Sequence, residues 1–102
     1  MNLKILFWNI KGLNEKKMRL HICNLLRTWR TDIICLQETK LEWITRRLDR
    51  SIWSCPYIDW LYMGSKGASG GILLMWNQRV VEKVEEAVGH FLVSCRFKNV
   101  GD

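Results

Sequence analysis

Asn9 and Glu38 are the residues whose type and position best suit chemistry, because each closes a run of apolar residues. Leu3 and the unbroken stretch Ile5 to Trp8 lead to Asn9, and Ile33, Ile34, Cys35 and Leu36 lead to Gln37 and Glu38. Runs of this length predict buried strands, and an open α/β sheet places its ligand sites outside the carboxyl ends of its strands. An amide and a carboxylate at two such ends can meet a polar ligand, with Lys40 close behind. Each also has an ordinary account, as a turn asparagine and a solvated glutamate.

The other reactive side chains show no pattern of a site. Cys23, Cys35, Cys55 and Cys95 form neither a CxxC pair nor a zinc spacing with histidine, so they read as reduced core thiols of an intracellular protein. His21 on the first helix and His90 at a strand start read as structural. Sixteen Lys and Arg against ten Asp and Glu give a formal charge of +6, which favours polyanions such as nucleic acid. The basic residues gather in the first half, from Lys11 to Arg50, where a solvated helix face also explains them. Nearly half the residues are hydrophobic, as in globular chains, and no stretch is a signal peptide or a membrane span.

The elements that must position Asn9 and Glu38 follow from periodicity. After the turn-prone Asn9-Ile10-Lys11-Gly12, Asn14 is placed to cap a helix with Met18, Ile22, Leu25, Leu26 and Trp29 on one face. The continuous apolar run within Asp32 to Glu38 suits a strand covered on both faces. Strand, helix, strand predicts a right-handed βαβ unit with parallel strands, whose ends, if they are neighbours, lie roughly 5 Å apart. Thr39 and Glu42 have capping-box spacing, which predicts a short helix from about Lys40 to Arg50 burying Trp43, Ile44 and Leu48. Two strands, Tyr57 to Met63 and Gly71 to Trp76, flank a glycine-rich loop. A last hairpin follows, over Val80 to Glu86 and His90 to Phe97.

Four segments together resemble the endonuclease/exonuclease/phosphatase superfamily, the deoxyribonuclease-I-like phosphodiesterases. They are Lys4 to Asn14, Asp32 to Lys40 (with Leu36-Gln37-Glu38-Thr39-Lys40), Ser69 to Trp76 and, more weakly, the closing hairpin. The tryptophan before Asn9 and the Gly70-Gly71-Ile72 after Ser69 look most like the endonuclease domains of plant non-LTR retrotransposons. The resemblance implies an α/β fold, a mixed sheet with helices on one face, forming half of a four-layer α/β/β/α sandwich. It implies that residues 1–102 are the N-terminal portion of one such domain.

By the same resemblance, Glu38 ligates Mg²⁺, with Mn²⁺ as the alternative, and Asn9 orients the catalytic site and the scissile phosphate. Hard cations prefer such oxygen ligands. Lys40, Ser69 and Gly70 would contact the nucleic-acid backbone, although Lys40 is equally an ordinary surface charge and the glycines equally a hairpin requirement. Lys11 departs from the aspartate that many abasic-site nucleases carry here, and a lysine cannot ligate a metal. The family's later motifs, an Asp-x-Asn pair, a tyrosine and an Asp-His pair, have no counterpart after Phe97. The complete domain would nick DNA, in the nucleus if it serves a retroelement, while these residues alone would be inactive. Two other readings stand beside this one: a nucleic-acid- or partner-binding remnant without metal chemistry, and a degenerate retroelement fragment without function. An apolar sheet face open to solvent is also expected, including some of Trp8, Trp60, Leu74 and Trp76.

Overall fold

The computed structural model describes residues 3–13, 15–64, 70–88 and 93–100. Strand β1 (Ile5–Asn9), helix α1 (Lys16–Trp29) and strand β2 (Ile33–Gln37) form the expected βαβ unit, with β1 and β2 parallel and in register from Ile5 opposite Ile33 to Asn9 opposite Gln37. Helix α2 (Arg46–Ile52) and strands β3 (Ile58–Met63) and β4 (Ile72–Asn77) complete a four-stranded mixed sheet in the order β1-β2-β4-β3. The apolar character of β2 is explained by its central place: Ile33, Ile34 and Leu36 are all buried.

Alternation along the strands sorts the two faces. Leu6 and Trp8 of β1, Ile34 and Leu36 of β2, and Leu73 and Met75 of β4 pack with Ile22 and Leu26 of α1 and Ile52 of α2 into the main core. Both helices therefore lie on one face of the sheet. The first helix ends where Arg30 turns left-handed and donates its N–H to the Leu26 carbonyl at 3.1 Å. Trp29, expected on the apolar face, is exposed instead, because the helix ends there. The expected cap Asn14 lies outside the described residues.

The second helix starts later than its sequence suggests. Thr45, not Thr39, caps it, accepting the Leu48 N–H at 3.1 Å, and the Thr39–Glu42 capping box does not form. Residues 40–44 are loop, and Trp43 is 69% exposed, while Ile44 and Leu48 pack against the core as expected.

The other face of the sheet is partly covered by a separate hairpin, β5 (Val81–Val88) with β6 (Val93–Asn99). Phe97 meets Trp76 edge-to-face at 5.2 Å, and Ile33, Trp76 and Val81 form a second small core. The open apolar surface consequently matches the expected one only at Leu74, which lines its groove. Trp76 is closed off, Trp8 and Trp60 face the helices, and Leu74 is half-buried; Ile5 and Phe7 are the exposed pair, at 49% and 68%. They line a groove of about 510 Å³ with Cys35, Gln37, Leu74 and Phe97. The four cysteines are free thiols, each half-buried rather than deep in the core. Among the described residues no helix is long and apolar enough to cross a membrane.

Candidate active site

The parallel register of β1 and β2 fixes the site, because it brings two strand ends to one edge of the sheet. Asn9 is paired with Gln37, and the next residue along, Ile10, donates its N–H to the Gln37 carbonyl at 3.0 Å. Asn9 and Glu38 thus stand at the ends of neighbouring strands on one edge, as the sequence predicted, and Asn9, Gln37 and Glu38 are all exposed there. Asn9 and Gln37 point to the same side of the pleat as Phe7 and Cys35, the side away from the helices.

The backbone beyond each strand is unusual. Glu38 and Lys40 have φ of 54° and 60°, and Lys11 on the neighbouring loop has φ of 54°, all in the left-handed region that L-residues seldom enter. Such conformations cost on the order of 1–3 kcal/mol each and persist only where surrounding structure imposes them. Here the surroundings do so. The Thr39 N–H donates to the Gly71 carbonyl at 3.1 Å and the Lys40 N–H to the Gly70 carbonyl at 2.9 Å, while the Thr39 carbonyl accepts the Leu13 N–H at 2.9 Å. The β2 loop is thereby tied both to the start of β4 and to the β1 loop.

Thr39 itself is fully buried, and its hydroxyl lies 2.7 Å from the Tyr62 hydroxyl, which donates to the Leu41 carbonyl. Burial pushes the Tyr62 phenol above its ordinary range, the hydrogen bonds to Thr39 and Leu41 opposing that rise. Gly71, at φ 94°, cannot carry a side chain, because a Cβ would overlap Thr39 Oγ1.

Lys40 is exposed, and its Cδ lies 3.9 Å from where a Cβ of Gly12 would be, so its stem runs beside the β1 loop. Gly70 is exposed at φ 82°, with open space where a Cβ would sit. Ser69 lies outside the described residues. Thr39, Tyr62 and Gly71 were not expected to shape the site. Thr39 matched a local helix-cap pattern instead, and nothing in its sequence neighbourhood points to a tyrosine 23 residues away.

Among the described residues no group of three or more His, Cys, Asp or Glu could enclose a metal ion. An exposed carboxylate at an edge that also carries two exposed amide residues nonetheless fits the habit of Mg²⁺, which keeps several waters and is bound through one or two carboxylates with substrate phosphates. Glu38, with Asn9 and Gln37 beside it, is the donor set that this edge offers.

A mixed sheet with helices on one face and a polar edge at the ends of two parallel strands is the class that fold and site define. The chain belongs to the endonuclease/exonuclease/phosphatase family, which it matches over residues 6–97. It is 32% identical over 71 residues to an exodeoxyribonuclease of Bacillus subtilis (strain 168), a match covering 67% of this chain and 26% of that protein. The chain therefore spans about a quarter of that relative's length. Its fold is similar to the AP endonuclease LMAP from Leishmania major, with a TM-score of 0.61 and 19% identity over 79% of this chain and 27% of that one. It is similar also to TDP2 from D. rerio, solved with a single-strand DNA product, with a TM-score of 0.63 and 16% identity over 97% of this chain and 42% of that one.

Proposed function

We propose that residues 1–102 are the N-terminal portion of a metal-dependent phosphodiesterase domain that nicks DNA. The observation that carries this reading is the meeting of Asn9 with Gln37 and Glu38 at one sheet edge, where bonds from two neighbouring segments hold the Glu38 loop in left-handed backbone. Structure invested at an exposed polar edge is more than a plain turn requires. Glu38 supplies a carboxylate oxygen to Mg²⁺, or to Mn²⁺ in its place, and Asn9 orients the phosphate. When bound, the cation polarises a phosphoryl oxygen and stabilises the leaving oxygen. Lys40 and Gly70, with Ser69, contact the DNA backbone; the exposure of Lys40 and Gly70 supports that role. A retroelement endonuclease, acting in the nucleus, is the branch that Trp8-Asn9, Lys11 and Gly70-Gly71-Ile72 support best.

Hydrolysis needs cation, activated water and charge stabilisation acting as a unit, and one carboxylate does not replace the set. Losing general-base catalysis forfeits about 10²- to 10⁴-fold, and each further electrostatic donor about 10²- to 10³-fold. The chain by itself should therefore leave supercoiled plasmid intact in MgCl₂. Nicking that Glu38→Gln abolishes would contradict this and would mean that the chain, as an oligomer, rebuilds a full site.

A second reading, nucleic-acid binding without metal chemistry, is favoured by a cleft of about 400 Å³ between α1 and α2 in which Lys16, Arg19 and Arg47 stand with Thr45 and Ser51 around the apolar Leu20 and Leu48. Duplex affinity separates the two readings. Under the metal reading, Mg²⁺ raises the affinity of the chain for a short duplex and Glu38→Gln removes the increment. Under the binding reading, affinity falls with salt and is indifferent to both Mg²⁺ and Glu38.

A further inference from the structure

We infer that Thr39 and Tyr62 are positioning residues that set the backbone of Glu38, and through it the metal affinity of the sheet edge. The inference rests on the reading of Glu38 as a metal ligand. Because the Tyr62 hydroxyl spends its single proton on the Leu41 carbonyl, its bond with Thr39 must be donated by the Thr39 hydroxyl. The direction of both bonds is then fixed, from Thr39 Oγ1 to Tyr62 Oη to the Leu41 carbonyl.

That relay joins the residue after Glu38 to a residue on β3 and back to the same loop three residues on from Glu38. Thr39 is also the point where the loop bonds to the β4 start through Gly71 and to the β1 loop through Leu13. All of its polar groups are therefore engaged by segments other than its own, in a position with no solvent exposure. The two residues that flank Thr39 are Glu38 and Lys40, both left-handed. A residue pinned in this way leaves its neighbours little choice of backbone angle, and a ligand side chain on such a residue is held with little freedom to lose on binding. Gly71 completes the arrangement, since any side chain there would occupy the space of Thr39 Oγ1.

Groups that orient a metal ligand from behind typically change affinity by 10- to 100-fold when removed. The test is Tyr62→Phe, which removes the phenol hydroxyl and keeps the ring, compared with the unaltered chain in two measurements. One is broadening of backbone amide signals by Mn²⁺; the other is hydrogen exchange of the Thr39, Lys40 and Leu13 amides. Thr39→Val removes the same bond from its other end and serves if Tyr62→Phe fails to fold.

The expected result is Mn²⁺ affinity at the Asn9, Gln37 and Glu38 signals about tenfold weaker, with faster exchange confined to the three amides and an otherwise unchanged spectrum. Undiminished Mn²⁺ affinity in the variant would overturn the inference, even with altered exchange. If Mn²⁺ leaves those signals untouched in the unaltered chain, the metal reading of Glu38 fails on its own. Exchange then decides whether the relay sets the backbone: local loss of protection in the variant supports it, and protection equal to that of the unaltered chain overturns it.

Discussion

Asp49 shows how a single residue can be held at a cost. It is 2% exposed, and its Oδ1 has no hydrogen-bond partner among the described residues. Burial pushes its carboxyl up from 3.8 to about 6, with the nearby Arg46 and Arg50 opposing that rise and Asp59 adding to it. The folded protein thus holds this proton more tightly than the unfolded chain does. Stability is highest while Asp49 is neutral in both states, falls as pH climbs from about 4 to 6, and stays lower above that window. A shift of this size corresponds to about 3 kcal/mol. Asp49→Asn should remove the slope between pH 4 and 6 and stabilise the fold at pH 7 by roughly 1–3 kcal/mol. Urea denaturation of both proteins at pH 4, 5, 6 and 7 measures it, and identical pH profiles would refute it. Asp49 was not legible as a buried acid, because between Arg46 and Arg50 it reads as a member of a solvated charged face.

At the scale of elements, the paired strands were legible, and of the second helix the existence was legible but the start was not, for a physical reason visible at Thr39. Periodicity is a local property, so the apolar runs before Asn9 and Glu38 identified β1 and β2, and the βαβ rule gave their parallel pairing. Thr39 and Glu42 also satisfy a local pattern, but Gly71, Leu13 and Tyr62 engage the backbone and hydroxyl of Thr39, and all three are distant in sequence. Partners of that kind override a cap whose worth is only about 1 kcal/mol. The helix begins instead at Thr45, whose hydroxyl accepts the Leu48 N–H. Thr45→Ala should therefore cost about 0.5–2 kcal/mol, and Thr45→Asp should cost little, since aspartate caps as well. Thermal denaturation distinguishes them; equal losses for alanine and aspartate would contradict the cap assignment. Among the described residues the hairpin β5–β6 gains little from its two cross-strand ion pairs, Arg96–Glu85 and Lys98–Glu82, or from Lys83–Glu86 within β5, because most of these side chains are exposed. Its attachment to the sheet rests on Phe97 and Val81 against Trp76 and Ile33.

Across the whole molecule, one face of the sheet is sealed by helices, and the other is closed only in part, leaving Ile5 and Phe7 exposed beside Asn9 and Gln37. An open apolar face was expected from the resemblance, since half of a four-layer sandwich leaves one side of its sheet without a partner layer. Which residues would face outward was not legible, because alternation on β1 and the coverage of Trp76 by Phe97 depend on which side the helices take. Mn²⁺ added to the isotopically labelled chain, with amide line broadening compared between the unaltered protein and Glu38→Gln, reads the site directly. Selective broadening at Asn9, Gln37 and Glu38 that the substitution removes is the expected result. Broadening that survives Glu38→Gln, or that centres on the acidic residues of β5 instead, would contradict it.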